Sequence, residues 1–199
     1  MAPPPLLPRA VLFDMDGTLT QPMLDFPRIK REMGIGDRPI LETLAKLDPE
    51  ARCIAEAVLL RHEDHAADHS TLNPGCHDVL NWLDEHDVKI ALVTRNSRRS
   101  LDRVMKRHNL PFDVMVTRDD CAYKPNPQPL LLACDRLAVA PADAWMVGDG
   151  SHDVQAGIAA GVRTVWISHG RQRDFAEEPW RTVQDLIELL AMLRQAAGV

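Results

Sequence analysis

Apolar positions along the chain fall into two rhythms. Short, mainly apolar runs occur at residues 10–14, 89–94, 112–117, 144–149 and 163–168, and their length and branched residues predict buried strands. Between them the apolar residues recur at helical spacing. Val79, Leu80 and Leu83 mark a helix that follows Pro74-Gly75 and runs to about residue 86, and Leu101, Val104 and Met105 one over 97–108. Further helices are predicted over 127–137 and over 152–160, the latter ending at Gly161. Val183, Leu186, Leu189, Leu190 and Leu193 line one face of a closing helix over 182–196. Strands that alternate with helices predict an α/β fold, a parallel sheet with helices on both faces.

Residues 21–73 break this alternation. They read as helices over 25–33, 39–47 and 49–69, separated by Gly34-Ile35-Gly36-Asp37 and by Asp48-Pro49. No alternating β-branched run interrupts them, so the segment is expected to be a small all-helical insertion, with residues 1–20 and 74–199 forming the core.

The first apolar run ends in Asp14 and Asp16, followed by Gly17. Carboxyl ends of parallel strands open onto the crevice where α/β sheets bind ligands. Two carboxylates 4 Å apart repel by about 4 kcal/mol at an effective dielectric of ~20, so the pair implies a cation or a shared proton. Thr94 and Asp149 also end predicted strands, and Lys124 lies just before Pro125 and Pro127. Taken singly, each has a structural reading: the aspartates as a turn or cap, Thr94 as a strand end, Lys124 as a solvated cation. Together, at the ends of strands of one sheet, they read as a site.

Four segments carry a resemblance, in order: Asp14-Met15-Asp16-Gly17-Thr18-Leu19-Thr20, Val93-Thr94-Arg95-Asn96, Tyr123-Lys124-Pro125-Asn126-Pro127 and Val147-Gly148-Asp149-Gly150-Ser151-His152-Asp153. The chain resembles the haloacid dehalogenase-like (HAD) phosphohydrolases, specifically the phosphoglycolate phosphatase-like group, from Val11 to about Ser168. The resemblance implies a three-layer Rossmann-like core with the first strand central, the second and third to one side, and the fourth and fifth to the other. It makes the helical insertion a cap over the active site. It implies that Asp14 is the nucleophile that carries the phosphoryl group and Asp16 the general acid and base. The Asp14 carboxylate, the Asp16 backbone carbonyl and the Asp149 carboxylate would hold Mg²⁺. Thr94 and Lys124 would bind the substrate phosphate, with Arg95 beside them, and Asp153 would support the metal-bound water or orient Lys124. The implied activity is hydrolysis of a small phosphomonoester. A phosphomutase of the same family is the enzymatic alternative, and a non-catalytic binding module on the fold is the alternative of another class. Carbon–halogen hydrolysis is disfavoured, because relatives with that activity lack the acid that Asp16 supplies here.

Composition narrows the partners. A net charge of −6 provides no basic surplus to drive nucleic-acid binding. Cys53, Cys76, Cys121 and Cys134 are scattered without paired spacing, which argues against zinc and disulfides and for reduced thiols in a cytoplasmic protein. No apolar stretch reaches the length of a membrane span. The proline-rich opening does not match a signal peptide and reads as an extended lead-in. The expected partner is therefore a small phosphorylated metabolite, with monomer and homodimer both open. His62, His65 and His69 fall near one helical face without zinc-protease spacing and read as a solvated face. Arg98, Arg99 and Arg103, and the insertion's Arg28, Lys30, Arg31 and Arg38, read as ordinary charged surface.

Overall fold

In the computed structural model the described residues are 7–198; the lead-in at residues 1–6, and residue 199, lie outside them. The strands are β1 (Ala10–Phe13), β2 (Lys89–Val93), β3 (Val114–Val116), β4 (Ala144–Gly148), β5 (Arg163–Ile167) and β6 (Arg181–Val183). The helices are α1 (Phe26–Glu32), α2 (Ile40–Leu44), α3 (Pro49–His69), α4 (Cys76–Glu85), α5 (Arg98–His108), α6 (Gln128–Leu137), α7 (Ser151–Ala160) and α8 (Leu186–Ala197). All six strands pair in parallel in the order β3-β2-β1-β4-β5-β6.

Every residue of β1 is fully buried, as expected of a central strand covered on both faces. Alternate residues divide between the two layers. Ala10 and Leu12 join Ala91, Val93, Ala144 and Met146 of the neighbouring strands, with Leu130, Ala133 and Leu137 of α6 and Ala156 and Ala160 of α7, in one apolar cluster. α4 and α8 pack on each other, α4 against β2 and α8 against β6. The result is the three-layer, Rossmann-like arrangement with β1 central that the sequence led us to expect.

By its contacts the chain divides into two compact units. The first comprises residues 1–21, 71–95 and 110–199, and the second residues 22–70 and 96–109. The second unit therefore includes α5, the crossover helix between β2 and β3, together with α1, α2 and α3. α5 packs on α3, where Asp64 pairs with Arg99 and Arg103, and Asp68 with Arg103 at 2.6 Å. Glu63 of α3 is buried and accepts from the Ser97 hydroxyl at 2.9 Å. That hydroxyl in turn caps α5 by accepting from the Ser100 N–H. Asp25 and Asp48 cap α1 and α3, each followed closely by proline in the first turn.

Two expectations are corrected. The sheet has a sixth strand, and the closing helix starts at Leu186 instead of 182 because Arg181–Val183 pairs with β5. A three-residue strand is too short to show alternation, and Val183 also fits the helical spacing that follows it. Among the described residues no helix is long and apolar enough to cross a membrane, and all four cysteines are free. Burial pushes the Cys76 thiol up to about 12 and that of Cys134 to about 11.

The packing of α7 on β5 depends on Gly157. A Cβ there would lie 2.0 Å from Cγ2 of Thr164, a buried β-branched side chain with little freedom to move. Gly157→Ala should therefore destabilise the protein by about 2 kcal/mol, against the roughly 1 kcal/mol that alanine gains as a helix former. Urea unfolding measures the balance, and a variant more stable than the parent would contradict this packing.

Candidate active site

The carboxyl edge of the sheet gathers the polar residues. The Asp14 N–H still donates to the Val147 carbonyl at 2.9 Å, so Asp14 is the last residue that the ladder holds. The chain then turns. Met15 is buried, its carbonyl accepts the N–H groups of Leu19 and Thr20, and Gly17 takes a positive φ of 79°. Only glycine fits here, because a Cβ on Gly17 would lie 2.5–2.6 Å from the carboxyl atoms of Asp149. The Asp16 carboxyl accepts from the Thr20 hydroxyl at 3.3 Å. Thr94 follows β2, buried, with its N–H on the Val116 carbonyl at 3.0 Å.

Lys124 enters from the loop before α6 and is 1% exposed. Its ammonium donates to Asp14 Oδ1 at 2.8 Å, to Asp153 Oδ1 at 2.7 Å and to the Val93 carbonyl at 2.6 Å. These contacts use all three of its protons. Asp153 lies in the first turn of α7, and its other oxygen accepts from the Gly150 N–H at 3.0 Å. The carboxyl packs so closely that a Cβ on Gly148 would come 2.2 Å from it. Asp153 thus joins Lys124 to the first turn of α7. Arg95 donates to the Lys124 carbonyl at 2.5 Å and lies over the Tyr123 ring, while Arg118 donates to the Arg95 carbonyl at 3.1 Å. The Arg95 side chain thereby braces the lysine loop.

Among the described residues, one group of three or more His, Cys, Asp and Glu side chains is placed to share a metal ion: Asp14, Asp149 and Asp153, with ligand oxygens within 4.8 Å of one another. Both oxygens of Asp153 already accept hydrogen bonds, so Asp14 and Asp149 are the better placed pair. Burial pushes the Asp14 carboxyl above its ordinary value, with Lys124 opposing and Asp153 adding to the rise. Burial and the Asp14 charge push Asp149 up against the pull of Arg171. Lys124 itself is held above its ordinary value: burial works against the charge, but Asp14 and Asp153 outweigh it. Three carboxylates against one buried ammonium and one half-exposed guanidinium leave the pocket negative. Crowded oxygen ligands of this kind suit a hard divalent cation.

Of the insertion's histidines, His62 bonds Glu32 at 2.9 Å, and the rings of His65 and His69 lie 4.3 Å apart, tilted by 36°. In the second unit Arg28 pairs with Glu32, while Lys30 and Arg38 donate to the Asp37 and Ile35 carbonyls.

Four residues at this edge were not singled out from the sequence. Asn73 Nδ2 lies 2.8–3.4 Å from the carbonyls of Gly17, Thr18 and Thr20 and so clamps the loop that carries Asp14 and Asp16. His169 Nε2 is 2.6 Å from the Gly17 carbonyl, and since a carbonyl only accepts, that nitrogen carries the proton. Trp166 Nε1 donates to the Asp149 carbonyl at 2.9 Å, and Arg171 Nη2 reaches both the carbonyl and Oδ2 of Asp149 at 3.0 Å. The rule that strand ends of a parallel sheet share one edge points to residues 168–171 after the fifth strand. Asn73 leaves no such signal.

The chain is similar in sequence and fold to known hydrolases. The family model for haloacid dehalogenase-like hydrolases matches residues 24–167. A haloacid dehalogenase-like hydrolase domain-containing protein of Arabidopsis thaliana is 31% identical, with 90% of this chain and 84% of that protein covered. Phosphoglycolate phosphatase 1 of Pseudomonas aeruginosa is 30% identical over 97% of this chain and 82% of its own length. Among solved structures, the HAD phosphatase of Thermococcus onnurineus is similar with a TM-score of 0.68 and 28% identity, covering 95% of this chain and 97% of that one.

The crowding of Asp14 and Asp149 has a measurable sign. An aspartate raised in the folded state favours folding below its ordinary value of 3.8 and loses that contribution as pH rises through the folded value. With chelator present, Asp149→Asn should therefore be more stable than the parent at pH 7, by about 1 kcal/mol. The half-exposed pair with Arg171 that it gives up is worth little. The advantage should shrink as pH falls toward 4.5. Thermal unfolding across that range decides the point, and a variant less stable than the parent at pH 7 would show that the repulsion is already neutralised.

Proposed function

Because this chain belongs to the haloacid dehalogenase-like hydrolase family, we propose that it is a phosphatase that hydrolyses a small phosphomonoester through an aspartyl phosphate on Asp14. The observation that carries this reading is the Asp14 carboxylate at the sheet edge, held at 2.8 Å by a buried ammonium and crowded by Asp149. The phosphatase names of similar proteins support the reaction class, and the phosphoglycolate phosphatase among them supports a small substrate.

In the first step an Asp14 carboxylate oxygen attacks phosphorus as the bond to the leaving oxygen breaks. Asp16 gives its proton to that oxygen, so the product leaves as an alcohol. In the second step the Asp16 carboxylate takes a proton from water as the water oxygen attacks phosphorus. The Asp14–phosphorus bond breaks, inorganic phosphate forms and both aspartates return to their starting states. The loop clamped by Asn73 and His169 fixes the spacing between nucleophile and acid, which positional catalysis demands. Thr94 and the backbone after β2 would receive phosphate oxygens. Lys124 spends its three protons on Asp14, Asp153 and Val93, so its effect on a phosphate is Coulombic. Asp14, Asp149 and the Asp16 carbonyl would hold Mg²⁺. When bound, it offsets the repulsion between the nucleophile and an anionic substrate.

The two aspartates should separate in kinetics. Asp14→Asn should reduce turnover to background on every phosphoester. Asp16→Asn should lose about 10²–10⁴-fold on alkyl phosphates, whose leaving group needs a proton. With a nitrophenyl phosphate, which leaves unprotonated, the same variant should release a burst of nitrophenolate and then stall with phosphate on Asp14. A burst from Asp14→Asn, or equal losses of Asp16→Asn on both substrates without trapped phosphate, would overturn these roles.

A further inference from the structure

We propose that Arg171 is a positioning residue for the cation site: it holds one oxygen of Asp149 so that the other is presented toward Asp14. The proposal rests on the reading that Asp14 and Asp149 together bind a divalent cation.

Arg171 reaches Asp149 from the loop after β5, and both ends of the contact are anchored. Its Nε and its backbone N–H donate to the Ser168 carbonyl at 3.1 and 2.9 Å, which fixes the side chain to its own turn. Nη2 then donates to the carbonyl and to Oδ2 of Asp149. Trp166 Nε1 takes the same carbonyl. The turn itself is tied down. The N–H groups of Ser168 and His169 donate to the Val183 and Gln184 carbonyls, and the His169 ring holds Gly17. Among the described residues no other side chain hydrogen-bonds the Asp149 carboxylate.

The form of the contact decides between a support and a competitor. A guanidinium that competed with a cation would grip both carboxylate oxygens in a bidentate fork. Arg171 instead divides Nη2 between one carboxylate oxygen and the backbone carbonyl of the same residue, and leaves Oδ1 to other partners. Gly17 packs so closely on the carboxylate that a Cβ there would lie 2.5–2.6 Å from all three of its atoms, which restricts rotation of the side chain. The Arg171 side chain is 54% exposed, which lets solvent screen its charge from a nearby dication. Outer partners that orient a ligand in this way typically govern affinity by 10–100-fold.

The test is Mg²⁺ titration of chelator-stripped protein, read by calorimetry and by the Mg²⁺-dependent rise in unfolding temperature. Parent, Asp149→Asn, Arg171→Ala and Arg171→Lys are compared. Arg171→Ala should bind Mg²⁺ roughly tenfold more weakly, while its unfolding temperature in chelator stays near the parent's. Arg171→Lys should recover part of the loss, because an ammonium can reach the Asp149 oxygen but lacks the Nε–H that ties the guanidinium to the Ser168 carbonyl. Should Arg171→Ala not fold, Arg171→Gln carries the comparison and should also bind more weakly than the parent. Affinity in Arg171→Ala or Arg171→Gln equal to or tighter than the parent's, beside a parent that binds and an Asp149→Asn that does not, overturns the positioning role alone. A parent without saturable Mg²⁺ binding, or Asp149→Asn binding like the parent, overturns the cation reading and this proposal with it.

Discussion

A single buried ammonium organises the carboxyl edge of the sheet. Lys124 is drawn out of water into contact with Asp14, Asp153 and the end of β2, residues far from it in the chain. An uncompensated charge there would cost several kcal/mol, and removing one partner of such a buried group typically costs 3–5 kcal/mol. The surrounding structure meets that demand locally. Gly148 leaves room for the Asp153 carboxyl, the first turn of α7 supplies the Gly150 N–H to its second oxygen, and Arg95 holds the backbone of Lys124 itself. Each of these features makes sense only because the lysine must be both charged and buried.

The same edge shows how a loop is held rigid without regular structure. Residues 14–20 lie beyond the end of β1, where ladder hydrogen bonds stop. Their carbonyls are taken up by Asn73 and His169, and their closest approach to Asp149 depends on Gly17 having no side chain. Loops that carry function on a stiff scaffold are expected to satisfy their backbone groups in this way. The turn after β5 extends the arrangement. It is paired to β6 on one side and bonded to Gly17 and Asp149 on the other, so the last strands of the sheet help to shape the site.

The second unit uses charge differently. Glu32 accepts from His62, Arg28 and Arg61, which hold its carboxyl down to about 2, and α3 and α5 are laced by Asp64, Asp68, Arg99 and Arg103. The arginines of these pairs reach solvent, and pairs with a solvated partner contribute little each. The buried Glu63–Ser97 contact is the more specific feature, because it ties the capping hydroxyl of α5 to the middle of α3. Charged residues that look alike in sequence therefore do unlike work: Lys124 is one of the largest fully buried side chains, whereas Arg99 stays 60% exposed.

The sequence by itself determined the class of fold and marked out the polar residues at the strand ends. Five strands and their helices follow from local apolar rhythm, a property of consecutive residues, and Asp14, Asp16, Thr94, Lys124, Asp149 and Asp153 stand out because their motifs are local too. Tertiary structure decided what depends on partners distant in the chain. β6 exists only because β5 lies beside it, and α5 groups with α3 because Asp64 and Asp68 face its arginines. Asn73, Trp166, His169 and Arg171 act through single hydrogen bonds to backbone or carboxylate groups elsewhere in the chain. No periodicity records such bonds, since they depend on where the folded backbone brings a carbonyl or a carboxylate, and that position is set by the whole sheet.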